Sequence, residues 1–375
     1  MLMNLKAGES RVVSGTEFMH DSDANVRSGF LPDRIIHLHP TVRCNLACLH
    51  CYSESDPQQG KGLDADEICH ALQVLRSEGY AVISLSGGEP LVYQPLGQVI
   101  EFAKSIGFRV TMISNGLLAT RKRDDVLDLL DGIALSFDGM AATHNHMRGR
   151  PDAFERSCAA LQRLAERGVT VAAAISLARD SIPELPELAD HLVSMGARAL
   201  QIRPVARAGR ARSLAENSFY NAADRARLYL VVLALQQELP EDIRVHCDLA
   251  PAQGLWQQRE AYAGLLASCA GGNREDLPLA ELVNPLVITD TGKLKPIAYD
   301  FASCFDVAEV QGLSTEQLSS YKDNGLSALK ALIGSAVAGL QDSHELIDWF
   351  DFCTRLSERN QNPDLQMILA NVGQI

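Results

Sequence analysis

The chain is short of positive charge. Its 375 residues carry 34 Lys and Arg against 47 Asp and Glu, a formal net charge of −13. A nucleic-acid binder shows a basic balance and a basic patch, which argues against DNA or RNA as partners. The acidic excess serves solubility. No run of about 18 apolar residues occurs, so no membrane span is expected. Residues 1–34 are polar and broken by glycine, and they lack the apolar centre of a secretory signal. There is no internal repeat at a solenoid period. Aromatic residues are few, at 6%, but hydrophobic residues reach 46%, ample for a large aliphatic core and too many for disorder. Cysteines number nine. An odd count, with three of them bunched, suits a reducing cytoplasmic setting better than a disulfide framework.

What is present begins as a rhythm. Strand-like runs at 35–39, 81–85, 108–113, 132–137, 169–177 and 199–203 alternate with helical periodicity at 65–78, 96–106, 123–130, 153–167 and 185–195. Glycine or a polar turn closes each helix. This alternation predicts a parallel sheet with crossover helices. Six units do not close an eight-unit barrel. The predicted fold is therefore α/β, a partial, open (βα)6 TIM-like barrel over residues 35–212, with chemistry at the strand ends. Residues 1–34 form an N-terminal extension without periodicity. Residues 206–212 are basic and read as flexible, and 221–237 as a helix. Residues 285–297 read as a hairpin turning at Asp290-Thr291-Gly292, and 315–359 as two or three amphipathic helices.

Two motifs carry chemistry. The first follows the first strand: Cys44-Asn45-Leu46-Ala47-Cys48-Leu49-His50-Cys51. Thiolates at this spacing suit an iron–sulfur cluster or zinc. A cubane cluster takes four cysteines, so three leave one iron open. Zinc would need His50 or a distant residue as fourth ligand. The second motif, Gly87-Gly88-Glu89-Pro90, follows the second strand. Two glycines admit close backbone approach, and Glu89 is an acceptor for an ammonium or hydroxyl group. The order of elements puts both motifs at one end of the barrel.

On these two motifs the chain resembles the radical S-adenosylmethionine (SAM) enzymes, over residues 35–205. The resemblance implies that Cys44, Cys48 and Cys51 hold a [4Fe–4S] cluster whose open iron is chelated by SAM. It implies that His50 packs near the adenine and that Gly87, Gly88, Glu89 and Pro90 form the turn that receives the methionine amino group. One electron from the cluster, supplied by a flavodoxin- or ferredoxin-type donor, would cleave SAM to a 5′-deoxyadenosyl radical that takes hydrogen from a substrate. Polar residues at later strand ends stand as further SAM contacts: Ser114, Asn115, Ser136, Asp138, Arg148, Ser176 and Arg203, with Gln201 facing the substrate or the SAM carboxylate.

The first half is most similar to the branch of peptide maturases and the molybdenum-cofactor cyclase. That branch often carries a C-terminal SPASM or twitch extension, an α+β region binding auxiliary clusters, here placed at 213–375. The family pattern sets a cysteine where this chain has Ile297. An auxiliary cluster would have to draw on Cys247, Cys269, Cys304 and Cys353; loss of that cluster with the hairpin kept is the favoured expectation. Cys69 and Cys158 read as core residues. The resemblance implies a ribosomally made precursor peptide as substrate, with a small molecule in cofactor, haem or antibiotic biosynthesis as the alternative. A non-catalytic zinc protein is the remaining alternative.

Overall fold

A computed structural model describes residues 34–259 and 277–360. Six parallel strands form its centre: β1 (Ile35–Leu38), β2 (Val82–Leu85), β3 (Arg109–Ser114), β4 (Gly132–Phe137), β5 (Val171–Leu177) and β6 (Ala199–Pro204), side by side in chain order. The register is continuous, with His37 beside Ser84, Ser84 beside Thr111, and Ser136, Ala174 and Gln201 in one row. Successive strand residues face opposite sides. One set, with Ile36, Ile83, Val110, Ile133, Leu135, Ala173, Ile175 and Leu200, belongs to the main hydrophobic core. The other set, with His37, Ser84, Thr111, Ser136, Ser176 and Gln201 among Ile35, Ile113, Ala134 and Ala174, lines a cavity. The predicted open barrel is therefore present, and the period of two sets hydroxyl, amide and imidazole groups among aliphatic ones on its inner wall.

Crossover helices bury the outer face: α1 (Ala65–Ser77), α2 (Leu96–Ser105), the short α3 (Asp124–Leu127), α4 (Ala141–Arg148), α5 (Ala153–Glu166) and α6 (Leu185–Ser194). Asp64 caps α1, its carboxylate accepting from the N–H groups of Asp66 and Glu67. The helix expected over 123–130 is only one turn after a 3-10 turn at Arg121–Arg123. Its acidic start is tied to α5 through Asp124, paired with Arg163 and Arg167. Helix α4 was not foreseen, since its sequence is polar and lacks an apolar stripe. Cys69 and Cys158 are buried on α1 and α5, as expected of core residues.

After the barrel come α7 (Ala222–Glu238), β7 (Arg244–Cys247), β8 (Leu249–Pro251), α8 (Ala252–Gln257) and α9 (Leu279–Leu282). The hairpin follows as β9 (Leu286–Ile288) and β10 (Lys293–Pro296), then β11 (Ala308–Glu309), α10 (Thr315–Asn324), α11 (Leu326–Ala338), β12 (Leu346–Asp348) and α12 (Trp349–Arg359). Both ends of the barrel sheet are extended. β7 adds to β6, while β9 lies parallel to β1 and carries β10 and β11 beyond it, making ten strands. The hairpin is thus a continuation of the barrel wall. Strand pairing across some 250 residues leaves no local mark on the sequence, so this could not be read from it. β8 and β12 form a small separate sheet. Among the described residues no helix is long and apolar enough to cross a membrane.

A buried tyrosine ties the two halves. Tyr80, at the turn into β2, is fully buried and donates to the Val283 carbonyl at 2.6 Å. Tyr80→Phe keeps the ring but strands a buried acceptor. The expected loss is about 1–2 kcal/mol, read as a lower urea midpoint; an unchanged midpoint would show that the bridge is not needed.

Candidate active site

The cysteine loop leaves β1 through Pro40 and folds back on itself, with the Cys44 N–H donating to Asp56 O at 3.0 Å. Cys44 and Cys48 are buried against Leu46, Leu117 and Ala153, with Cys51 half-buried beside them. Each sulfur has a polar neighbour. The Leu46 N–H lies 3.4 Å and Asn115 Nδ2 3.8 Å from Cys44 Sγ. Arg148 Nη1 is 4.0 Å from Cys48 Sγ, and Ser53 Oγ is 3.5 Å from Cys51 Sγ. Burial and the nearby Glu89 charge push the Cys44 thiol up to about 12. Burial likewise raises Cys48. Such thiols stay protonated until a metal displaces the proton. All three line one cavity of about 450 Å³.

The glycine turn is packed against this loop, backbone on backbone. The Gly88 N–H donates to Thr41 O at 2.8 Å and the Glu89 N–H to Arg43 O at 3.0 Å. A Cβ on Gly88 would stand 2.2 Å from the Arg43 carbonyl oxygen, so no other residue fits. Gly87 and Gly88 line the cavity. Glu89 does not. It is fully buried, accepting from Ser114 Oγ at 2.9 Å, the Asn115 N–H at 2.9 Å and the Leu91 N–H at 3.2 Å. Burial raises its pKa, and those three donors oppose the rise. In this structure the carboxylate fastens the end of β3. Pro90, also buried, opens the 3-10 turn behind it.

Asp138 is likewise set behind the cavity wall. Arg148 grips it through two bonds, Nε at 2.6 Å and Nη2 at 2.8 Å. His50 Nε2 lies 3.0 Å from its other side. Burial pushes this carboxyl up, but the Arg148 charge and the hydrogen bond with His50 outweigh it and hold it far below the usual carboxylate range. Asp138 thus serves as the anchor for Arg148 and His50, and those two side chains line the cavity. Ser114, Asn115, Ser136, Ser176, Gln201 and Arg203 line it too. Arg203 and Gln201 both reach Asp248, at 3.3 and 3.2 Å.

Several cavity residues escaped the sequence reading. His39 stacks on Tyr299 with centroids 4.9 Å apart, and Tyr52 meets Tyr299 edge-on at 5.5 Å. Ser84 and Thr111 had a usable signal, being polar at inward strand positions. Asp248, Asp300 and Asp348 close the end formed by the later part of the chain. Burial and the neighbouring Asp248 push Asp348 up to about 7. Ile297, standing where the family pattern has cysteine, lines the cavity at φ 69°. Of the C-terminal cysteines, Cys353 is fully buried on α12, Cys247 half-buried on β7 and Cys304 exposed, and Cys269 lies outside the described residues. Among the described residues no three His, Cys, Asp or Glu side chains converge as a single-metal site. Three thiols on one loop, two of them facing N–H donors, form a soft donor set that fits an iron–sulfur cluster.

The family model described as the Radical SAM superfamily matches residues 38–192. The chain is 28% identical over 179 residues to the sporulation killing factor maturation protein SkfB of Bacillus subtilis, covering 46% of this chain and 43% of that protein. It is 28% identical over 218 residues to an AdoMet-dependent heme synthase of Methanosarcina barkeri, covering 57% and 62%. The chain therefore spans less than two thirds of either relative. The structure of Streptococcus suis SuiB bound to its precursor peptide SuiA superposes with a TM-score of 0.59 at 14% identity, over 85% of this chain and 70% of SuiB. That likeness is one of fold.

His144 gives the site a pH dependence. Its Nδ1 accepts the Asp138 N–H at 3.2 Å, which needs the neutral ring. Burial lowers its pKa from 6.5 to about 4, against the opposing pull of Asp138. The unfolded chain binds this proton near 6.5 and the folded one only near 4, so stability from this group is full above 6.5 and lost as pH falls toward 4. Urea unfolding of the metal-free protein at pH 7 and pH 5 reads the loss. His144→Gln is expected to flatten the difference, and an equal slope in the variant would contradict a neutral buried His144.

Proposed function

We propose that this chain, which carries a radical SAM domain over residues 38–192, is a radical SAM enzyme that modifies a ribosomally made peptide. The observation that carries the reading is the joint lining of one cavity by Cys44, Cys48, Cys51, Gly87 and Gly88. In this reading the three thiolates hold a [4Fe–4S] cluster through three irons and leave the fourth to SAM. When bound, the pair supplies one-electron cleavage of the sulfur–C5′ bond and hydrogen abstraction from the substrate.

The protein's own residues supply placement. Gly87 and Gly88 bring backbone close enough for the methionine end of SAM, with Ser114, Asn115, Ser136 and Ser176 along the wall for its polar groups. Arg148, pinned by Asp138, keeps positive charge beside Cys48. Asp138 also orients His50, which presents its ring to the cavity. Arg203 and Gln201, fixed by Asp248, stand with Asp348 on the part of the wall left for substrate. A cavity of about 450 Å³ is of the size that holds one drug-like ligand. Likeness to SkfB supports a peptide substrate. A small-molecule substrate is the second reading, favoured by likeness to a heme synthase over 57% of this chain. The electron comes from a flavodoxin- or ferredoxin-type protein.

Anaerobic reconstitution with iron and sulfide tests the assignment. Wild type is expected to hold about four irons per chain and to release 5′-deoxyadenosine from SAM under dithionite. Cys44/Cys48/Cys51→Ala is expected to hold none and to release none. Stoichiometric zinc in a colourless wild-type protein would overturn the reading, and about eight irons would restore the auxiliary cluster.

A further inference from the structure

The basic stretch after β6 is not the flexible loop its composition implied. It forms a 3-10 turn at Gly209–Ser213 laid across the cysteine loop, more than 150 residues away in sequence. The Arg210 guanidinium spreads over three backbone carbonyls of that loop. Nε donates to Cys48 O at 2.9 Å, Nη1 to Glu54 O at 2.7 Å and Nη2 to Ser55 O at 2.6 Å. The Arg210 N–H adds a fourth bond, to Cys51 O at 3.0 Å. Two of the four acceptors are thus carbonyls of the ligand cysteines themselves.

Gly209 makes the fit possible. Its φ is 49°, and a Cβ there would stand 2.2 Å from Tyr52 O and 2.5 Å from Cys51 O. Only glycine lets the turn approach so closely. Carbonyls also solvate the guanidinium without neutralising it. Among the described residues no carboxylate lies within ion-pair distance of Arg210, in contrast with Arg207 and Arg212, which pair with Glu216 and Glu358. A permanent positive charge therefore stands against the loop that carries all three thiols.

We propose that Arg210, seated by Gly209, is a positioning residue that clamps the three-cysteine loop and whose unneutralised charge favours the reduced state of the cluster held there. The proposal rests on the cluster assignment above. An external one-electron donor supplies the electron, and the cluster gains one negative charge on reduction. A fixed cation beside it makes that gain easier, and its removal makes reduction harder. A role confined to stapling barrel to C-terminal region would leave the redox potential alone.

The test uses full-length protein with Arg210→Gln, Arg210→Lys and Gly209→Ala. In metal-free protein, hydrogen–deuterium exchange over residues 44–55 is expected to quicken about tenfold in Arg210→Gln, where the forked donor is lost. After reconstitution its iron content should fall, and the remaining cluster should titrate by electron paramagnetic resonance (EPR) at a more negative midpoint. Arg210→Lys keeps the charge without the fork, so faster exchange with a midpoint near wild type is expected. Gly209→Ala, whose Cβ would meet the Tyr52 and Cys51 carbonyls, should also quicken exchange and shift the midpoint to more negative values by displacing Arg210, and it keeps the test open if Arg210→Gln is insoluble. Wild-type exchange in Arg210→Gln would overturn the clamp. Equal midpoints in Arg210→Gln and wild type, or equal shifts in Arg210→Gln and Arg210→Lys, would overturn the charge effect. A wild type that binds no iron would instead remove the function and the charge effect together, while the exchange result still decides the clamp.

Discussion

The site depends on one close approach, that of Gly88 to the Arg43 carbonyl. A Cβ would sit 2.2 Å from that oxygen. With hydrogen there instead, the turn after β2 lies flat on the start of the cysteine loop and donates two N–H bonds to it. The contact then extends by hydrogen bonds. Glu89 takes the Ser114 hydroxyl and the Asn115 N–H, and Asn115 in turn reaches Asn45 at 2.8 Å and the Cys44 sulfur at 3.8 Å. The ends of β1, β2 and β3 are locked to one another before any ligand arrives. Such preorganisation is what allows a site to hold reacting groups in place at little further entropic cost.

Charges of both signs surround the cavity. Around the thiols the carboxylates of Glu89 and Asp138 are set against two cations, Arg148 and Arg210. The first is anchored by a carboxylate and the second only by carbonyls. Elsewhere on the wall Asp248 pairs with Arg203 and lies beside Asp348. Burial first, and then the neighbouring Asp248 carboxylate, lift Asp348 to about 7.

Much of this was legible in the sequence, and the failures have physical causes. Cys44, Cys48, Cys51, Gly87 and Gly88 were legible because metal ligation and backbone approach demand fixed residue types at fixed spacing. The six-strand core was legible because period-two and period-3.6 patterns are local. Glu89 and Asp138 were recognised as special, but a motif does not tell whether a carboxylate faces a ligand or braces its neighbours. The burial of both and the donors around them are set by residues from other strands and helices. Arg210 was hidden within a basic run that composition alone marks as solvated. The pairing of β9 with β1 was hidden because it joins residues far apart in the chain. Ile297, where the family pattern has cysteine, was correctly noted as a departure, but its place in the cavity wall followed only from that pairing.

An iron that no cysteine of this loop ligates is the feature on which all the proposed chemistry turns. EPR of the dithionite-reduced, reconstituted protein with and without SAM examines it directly. If Cys44, Cys48 and Cys51 leave one iron open, SAM will change the g values of the reduced cluster signal. A reduced cluster whose spectrum is the same with and without SAM would mean that the fourth iron is already ligated by protein.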